Sequence, residues 1–168
     1  SIGSMATDAK GQFAVTSGAD KTVRVWEVRT GKLLRVLRPP IGAGLEGRVF
    51  ALDVSPDASV VAVGGFTKLG SESGFAIYLI ELATGRLWHS LTGLTGVIAK
   101  ARFSPDGRWL AATLGGKGGG VWVWNWRERS APMSDTNYGD FSGGLSWSSD
   151  GRLVVASNEI PLRLSKPS

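Results

Sequence analysis

The sequence predicts an all-β chain made of four repeats of one antiparallel four-stranded sheet, the last repeat incomplete. Three observations carry this. The turn tract Ser104-Pro105-Asp106-Gly107 recurs as Ser55-Pro56-Asp57-Ala58, as Ser148-Ser149-Asp150-Gly151 and, degenerately, as Asp8-Ala9-Lys10-Gly11, at spacings of 47, 49 and 44 residues. A second anchor, Thr30-Gly31-Lys32-Leu33 against Thr84-Gly85-Arg86-Leu87, follows Val23-Arg24-Val25-Trp26 and Ile77-Tyr78-Leu79-Ile80 at one common offset of 54. Between anchors the apolar residues alternate or form short β-rich runs, with Gly, Asp, Asn and Pro separating them, and no segment carries a helical pattern.

The repeats span about residues 1–38, 48–91, 97–137 and 139–168. The first places strands at Ile2 to Ala6, Phe13 to Ser17, Thr22 to Val28 and Leu33 to Arg38. The second gives Val49 to Val54, Val60 to Gly64, Phe75 to Glu81 and Leu87 to Leu91. The third gives Ile98 to Phe103, Trp109 to Thr113 and Gly120 to Trp126, with a weak fourth strand before Tyr138. The last gives Phe141 to Trp147, Leu153 to Ser157 and Leu162 to Leu164, without an outer strand. Pro at the second turn position presets φ, and Asp57, Asp106-Gly107 and Asp150-Gly151 supply the bend that follows.

The chain has 168 residues, 42% hydrophobic and 20% charged, which is the balance of a globular chain. No run approaches the ~18 apolar residues of a membrane helix, so no membrane insertion is expected; cytoplasmic and exported parents both stay open. The absence of Cys excludes disulfides, thiolate metal sites and a cysteine nucleophile. Nineteen Lys and Arg against fourteen Asp and Glu give a net charge of +5. The basic residues are scattered, with Arg24, Arg35, Arg86, Arg108 and Arg152 standing singly. That pattern reads as solvated strand positions rather than a nucleic-acid face.

Four-stranded units carrying these turns, with VRVWE at Val23 to Glu27 and TGK or TGR, resemble the WD40 repeat of β-propeller proteins. The resemblance implies a WD40-type β-propeller of four blades, the last incomplete, forming part of a 7- or 8-bladed ring. Departures are visible. No Gly-His pair precedes an inner strand, Trp26-Glu27 alone approximates Trp-Asp, and Asp20 alone clearly holds the acidic place in the turn before it. Leu33 to Gly42, Val61 to Gly65 and Ala111 to Gly116 look, more narrowly, like the WD40 region of bacterial caspase-family (peptidase C14) proteins. In such proteins the catalytic Cys and His belong to another domain, and no position here inherits either role.

Propeller blades pack face to face, and an open array leaves two wet faces; at ~400 Å² each, the loss is roughly 10 kcal/mol per face. That rivals the ~5–15 kcal/mol of a domain's net stability. A piece of a larger propeller is therefore expected, ahead of a dimer of eight blades or a tight four-bladed ring, with self-association through open blade edges as its consequence.

Among candidate sites, Trp122, Trp124 and Trp126 share one strand face, and alignment of Trp124 with Trp26 points to burial between blades rather than a ligand ladder. Gly115 to Gly120 with Lys117 lacks the Ser or Thr and helix of a phosphate loop. Asp135 to Asp140 has calcium-like oxygen spacing but no closing Glu, and His89 stands alone on an outer strand, so neither a cofactor nor a metal is expected. Asp53 and Arg102 occupy equivalent inner-strand places in adjacent blades and are expected to meet along the channel. Arg48, Phe66, Lys68, Lys117 and Tyr138 are the candidate partner-binding residues on the loop rim, chosen because Arg and aromatic residues dominate interface energies.

The leading expectation is a non-catalytic interaction scaffold that presents its loops to another protein or to an adjoining domain of its parent chain. The rivals are an enzyme, against which stand the missing Cys and nucleophile motifs, and a nucleic-acid surface, which requires steep salt dependence.

Overall fold

The computed structural model describes residues 2–40, 42–68, 74–116, 119–129, 132–136, 143–156 and 163–165. Fifteen strands lie among them. In the first sheet β1 (Ile2–Thr7), β2 (Phe13–Gly18), β3 (Val23–Glu27) and β4 (Leu33–Leu37) pair in chain order. The second sheet pairs β5 (Arg48–Val54), β6 (Val60–Phe66), β7 (Phe75–Glu81) and β8 (Leu87–Leu94) in the same way. The third holds β9 (Val97–Phe103), β10 (Trp109–Gly115), β11 (Gly120–Asn125) and β12 (Met133–Asp135). The fourth has three strands among the described residues: β13 (Gly144–Trp147), β14 (Leu153–Ala156) and β15 (Arg163–Ser165). Every pairing is antiparallel.

The first strand of each sheet lies beside the first strand of the next, β1 by β5, β5 by β9 and β9 by β13, so the sheets stand side by side as blades do around an axis. Three cores fill the spaces between them. Val15, Val23, Val25 and Leu37 of the first sheet meet Leu52, Val61, Val63 and Tyr78 of the second. Ala62, Ile77, Leu79 and Leu94 on the other face of the second sheet meet Ile98, Leu110, Leu114, Trp124 and Trp126 of the third. Ala111, Val121 and Val123 meet Leu153 and Val155 of the fourth. Strand alternation explains the division: along β6, Val61 and Val63 face one neighbour while Val60 and Ala62 face the other. Both faces of β6 are therefore buried, which is why it reads as a continuous apolar run.

Strands β6 and β10 each run two residues beyond their expected ends, to Phe66 and Gly115, and β8 reaches Leu94. Gly64, the expected end of the strand, is a site of close approach, since a Cβ would lie 2.8 Å from Cγ2 of Ile98 in the next sheet. Trp126 falls just past β11 rather than within it. The expected strand residues Phe141, Ser157 and Leu162 lie outside the described residues.

The turn between the first two strands of each sheet repeats one hydrogen-bond device. The Ser104 hydroxyl donates to Asp106 and accepts the Trp109 N–H at 2.9 Å; Ser55 does the same with Asp57 and Val60, and Ser148 with Asp150 and Arg152. In the first sheet Asp8, only 3% exposed, takes the serine's place, and its carboxylate accepts the N–H groups of Phe13 and Lys10 at 2.6 and 3.1 Å. The fourth turn residue is left-handed throughout: Gly11, Gly107 and Gly151 have φ of 63°, 71° and 79°, and Ala58 has 56°. An L side chain there costs roughly 1–2 kcal/mol, more than the ~0.5–1 kcal/mol of chain entropy that glycine loses. Ala58→Gly is accordingly expected to stabilise the chain by about 0.5 kcal/mol or more, read as a higher urea midpoint at unchanged slope; a lower midpoint contradicts the turn assignment.

Candidate protein-interaction rim

The inner strands carry a feature the repeat pattern alone did not reveal. Strand β1 shifts register between Ile2 and Ser4, β5 between Val49 and Ala51, and β9 between Ile98 and Lys100. The residues passed over are Gly3, Phe50 and Ala99, separated by the same 47 and 49 residues as the turn anchors, so a β-bulge recurs at one place in three successive blades. In the second blade the extra residue is large, and Phe50 is 41% exposed. Gly65 makes this possible: a Cβ there would lie 2.1 Å from the Arg48 carbonyl oxygen.

Around Phe50 the structure gathers three of the five expected partner-binding residues at one end of the second sheet. Arg48, exposed at the start of β5, stands opposite Phe66 at the end of β6. Phe66 is half-buried and packs edge-on against Phe75, with centroids 5.4 Å apart. Lys68, two residues on, is half-buried as well. The turn leading into β5 exposes Leu45 and is tied to the sheet by the bond from the Gly47 N–H to the Phe66 carbonyl, 2.7 Å. Neither Arg48 nor Lys68 pairs with a described carboxylate. Lys117 and Tyr138 lie outside the described residues, as does all of the oxygen-rich run after Thr136.

The positions expected to be structural are placed as follows. Asp20 accepts from the Thr22 N–H and hydroxyl and from Arg24 at 2.6 Å, and the Arg24 bond foremost lowers its pKa to about 2. The Trp26 indole donates to the Thr16 hydroxyl at 2.9 Å. Asp57 forms a second ion pair, with Arg127 of the third blade, at 2.6 Å; burial pushes its pKa up, and bonds from Ser55, Ser59 and Arg127 together hold it well below the usual carboxylate range. Trp124 and Trp126 are buried and Trp122 half-buried, all against the core between the second and third sheets. Arg35 donates to the Ala83 and Thr84 carbonyls, Arg108 lies over Trp109 and Arg152 pairs with Asp150. These guanidiniums thus serve turns and neighbouring rings.

Asp53 and Arg102 approach to 3.8 Å, with Asp53 mostly buried. The arginine spends a donor on the Leu52 carbonyl at 2.9 Å and on Ala101, while the other Asp53 oxygen accepts the Phe103 N–H at 2.7 Å. The carboxylate bridges the inner strands of two blades, but its cation stands off. Burial therefore outweighs the Phe103 bond and the Arg102 charge, and the pKa rises to about 6.

The family model for the WD domain, G-beta repeat, matches residues 1–27 and 85–125. The antiparallel sheets, paired in chain order, are consistent with WD40 β-propeller blades. The second matched stretch starts before the outer strand of one blade and ends on the third strand of the next, so the repeat straddles two blades and links them covalently. Three relatives support the WD40 repeat family. The chain is 28% identical over 115 residues to the target of rapamycin complex subunit LST8 of Mus musculus, covering 68% of this chain and 31% of that protein. It is 29% identical over 124 residues to the target of rapamycin complex subunit wat1 of Schizosaccharomyces pombe, covering 74% and 34%. It is 29% identical over 152 residues to the small ribosomal subunit protein RACK1 of Caenorhabditis elegans, covering 84% and 42%. The chain spans about a third of the length of the first of these WD40 relatives.

Asp53 yields a signed prediction. Its folded pKa of about 6 exceeds the unfolded 3.8, so the folded state holds the proton longer and stability is lost as pH rises from about 4 to about 7. The loss is on the order of 3 kcal/mol. Asp53→Asn, which keeps the acceptor for Phe103, should remove that slope in denaturation measured between pH 4 and pH 8. At pH 8, Arg102→Ala alone should cost more than Arg102→Ala combined with Asp53→Asn; equal losses reject the coupling.

Proposed function

We propose that this chain is a non-catalytic protein-interaction scaffold, whose second blade presents Phe50, Arg48, Phe66 and Lys68 to a protein partner. One observation carries the reading: an aromatic side chain is held out on a bulge, beside cations that no described carboxylate neutralises. Exposed aromatic and Arg residues on a rigid sheet end are the anchors from which interfaces draw most of their energy. The names of the relatives agree with this role, since each describes a component of a larger complex or of a ribosomal subunit. The blades fit a larger ring, of 7 or 8 blades, whose other members would cover the open face of the first sheet, where Met5 and Leu34 are exposed.

The finer reading rests on the sequence resemblance. It makes the chain the recognition segment of a bacterial WD40 protein joined to a caspase-like protease domain, with the partner either a separate protein or that adjoining domain. A His and Cys protease pattern elsewhere in the parent reading frame is its direct check.

The test places a photoreactive benzoyl-phenylalanine at position 50 of the full-length protein in its host cell, with position 10, on an exposed turn at the other end of the sheets, as control. A discrete protein adduct or interdomain link from position 50 and none from position 10 is expected. No adduct at 50, or equal adducts at both, contradicts the rim. Arg48→Ala should weaken the identified contact at unchanged melting temperature.

A further inference from the structure

At the end of the second sheet away from the rim, the second and third blades form an open pocket of about 360 Å³ lined by Ser59, Val60, Glu81, Ala83, Trp88, Trp126 and Arg127. Trp126, 1% exposed, forms its floor; Trp88 meets it edge-on, with centroids 5.6 Å apart and planes at 82°. The charges around this apolar corner are not equally engaged. Arg127 stacks 4.1 Å from the Trp126 centroid and is neutralised by Asp57. Glu81 is committed to its own turn, where it accepts from the Thr84 hydroxyl at 2.5 Å, as Glu27 accepts from Thr30 in the first blade, so its carboxylate belongs to a repeated turn device. Arg129 is different. Its guanidinium lies over Trp88, 5.2 Å from the centroid, and it pairs with no described carboxylate.

The backbone of Arg129 sharpens the contrast. Counted from Glu27, Glu81 and Asn125, which occupy one register place opposite the starts of β2, β6 and β10, the residue four further on is Gly31, Gly85 or Arg129. The two glycines have φ of 68° and 77°; Arg129 holds the same left-handed turn at 53°. Glycine would fit that backbone without strain, and an exposed guanidinium over an indole stabilises by less than the left-handed conformation of an L residue costs. Stability alone does not account for an arginine at this place.

We propose that the Trp88–Trp126 pocket binds an acidic peptide segment, Arg129 receiving a carboxylate while a large apolar side chain beside that carboxylate fills the indole-walled corner. An acidic occupant fits the mouth, because each indole already has a guanidinium over its ring, Arg127 on Trp126 and Arg129 on Trp88. An apolar side chain fits the interior, where Val60, Ala83 and the indoles supply the surface. This site is independent of the rim, and either can fail without the other.

The test titrates the full-length protein with N-acetyl-leucine and with N-acetyl-leucine amide, following the indole N–H resonances by NMR and assigning them through Trp88→Phe. The free carboxylate is expected to shift the Trp88 and Trp126 signals at millimolar concentration, and the amide to bind at least tenfold more weakly. Arg129→Gly should abolish the carboxylate preference while the melting temperature stays level or rises, which separates a binding role from a packing role. Arg129→Lys should restore part of the preference. The proposal is overturned if inorganic phosphate shifts the same signals as strongly as N-acetyl-leucine, if acid and amide bind alike, if neither binds, or if Arg129→Gly lowers the melting temperature by several degrees.

Discussion

The structure depends on one constraint: a β-sheet with two apolar faces must have both of them covered, and here the cover is the next sheet. The second sheet meets that requirement on both sides, with Val61, Val63 and Tyr78 packed toward the first sheet and Ala62, Ile77 and Leu79 toward the third. Burying a side chain such as Leu79 stabilises by roughly 1.5–3 kcal/mol, far more than any exposed ion pair on the blade surfaces. The polar links between blades are fewer and act mainly on register. Ser17 reaches the Val49 carbonyl, Arg102 the Leu52 carbonyl, and the Trp147 indole the Arg102 carbonyl. Each ties a strand of one blade to an inner strand of its neighbour, so the sheets cannot slide along the axis without losing these hydrogen bonds.

From that packing the two ends of the sheets acquire different characters. At one end the bulges release the inner strands from strict alternation, and the second blade uses that freedom to expose Phe50. At the other end the serine hydroxyls of the turns accept the N–H groups of Val60, Trp109 and Arg152, which leaves a rigid surface. An opening at this end lies where the indoles of neighbouring blades meet. Rigid sheets with variable ends are a suitable base for recognition, since contacts there can change without disturbing the cores.

Much of this was legible in the residues because it follows from local rules. The turn anchors fix where strands begin, since Gly107 and Gly151 occupy left-handed positions and the preceding Asp and Ser supply the acceptors. The bulges were not legible, because a passed-over residue leaves the apolar count of a strand unchanged; the run Val49 to Leu52, four apolar residues in a row, was the available signal. Asp8 looked like a degenerate anchor, yet its carboxylate performs the serine's task with two acceptors instead of one. Arg129 escaped notice because nothing in the identity of an arginine announces a left-handed backbone; only its register with Gly31 and Gly85 does.

Hydrogen exchange in β2 and β6 of the 168-residue chain measures the constraint most directly. The two strands hold the same place in their sheets, each paired on both sides, but β6 is buried on both faces and β2 on one. If sheet-to-sheet burial governs stability, β6 amides exchange at least tenfold more slowly than β2 amides, although their backbone bonding is alike. Equal protection in the two strands would mean that hydrogen-bonded pairing within each sheet, and not the packing of sheet upon sheet, holds the fold.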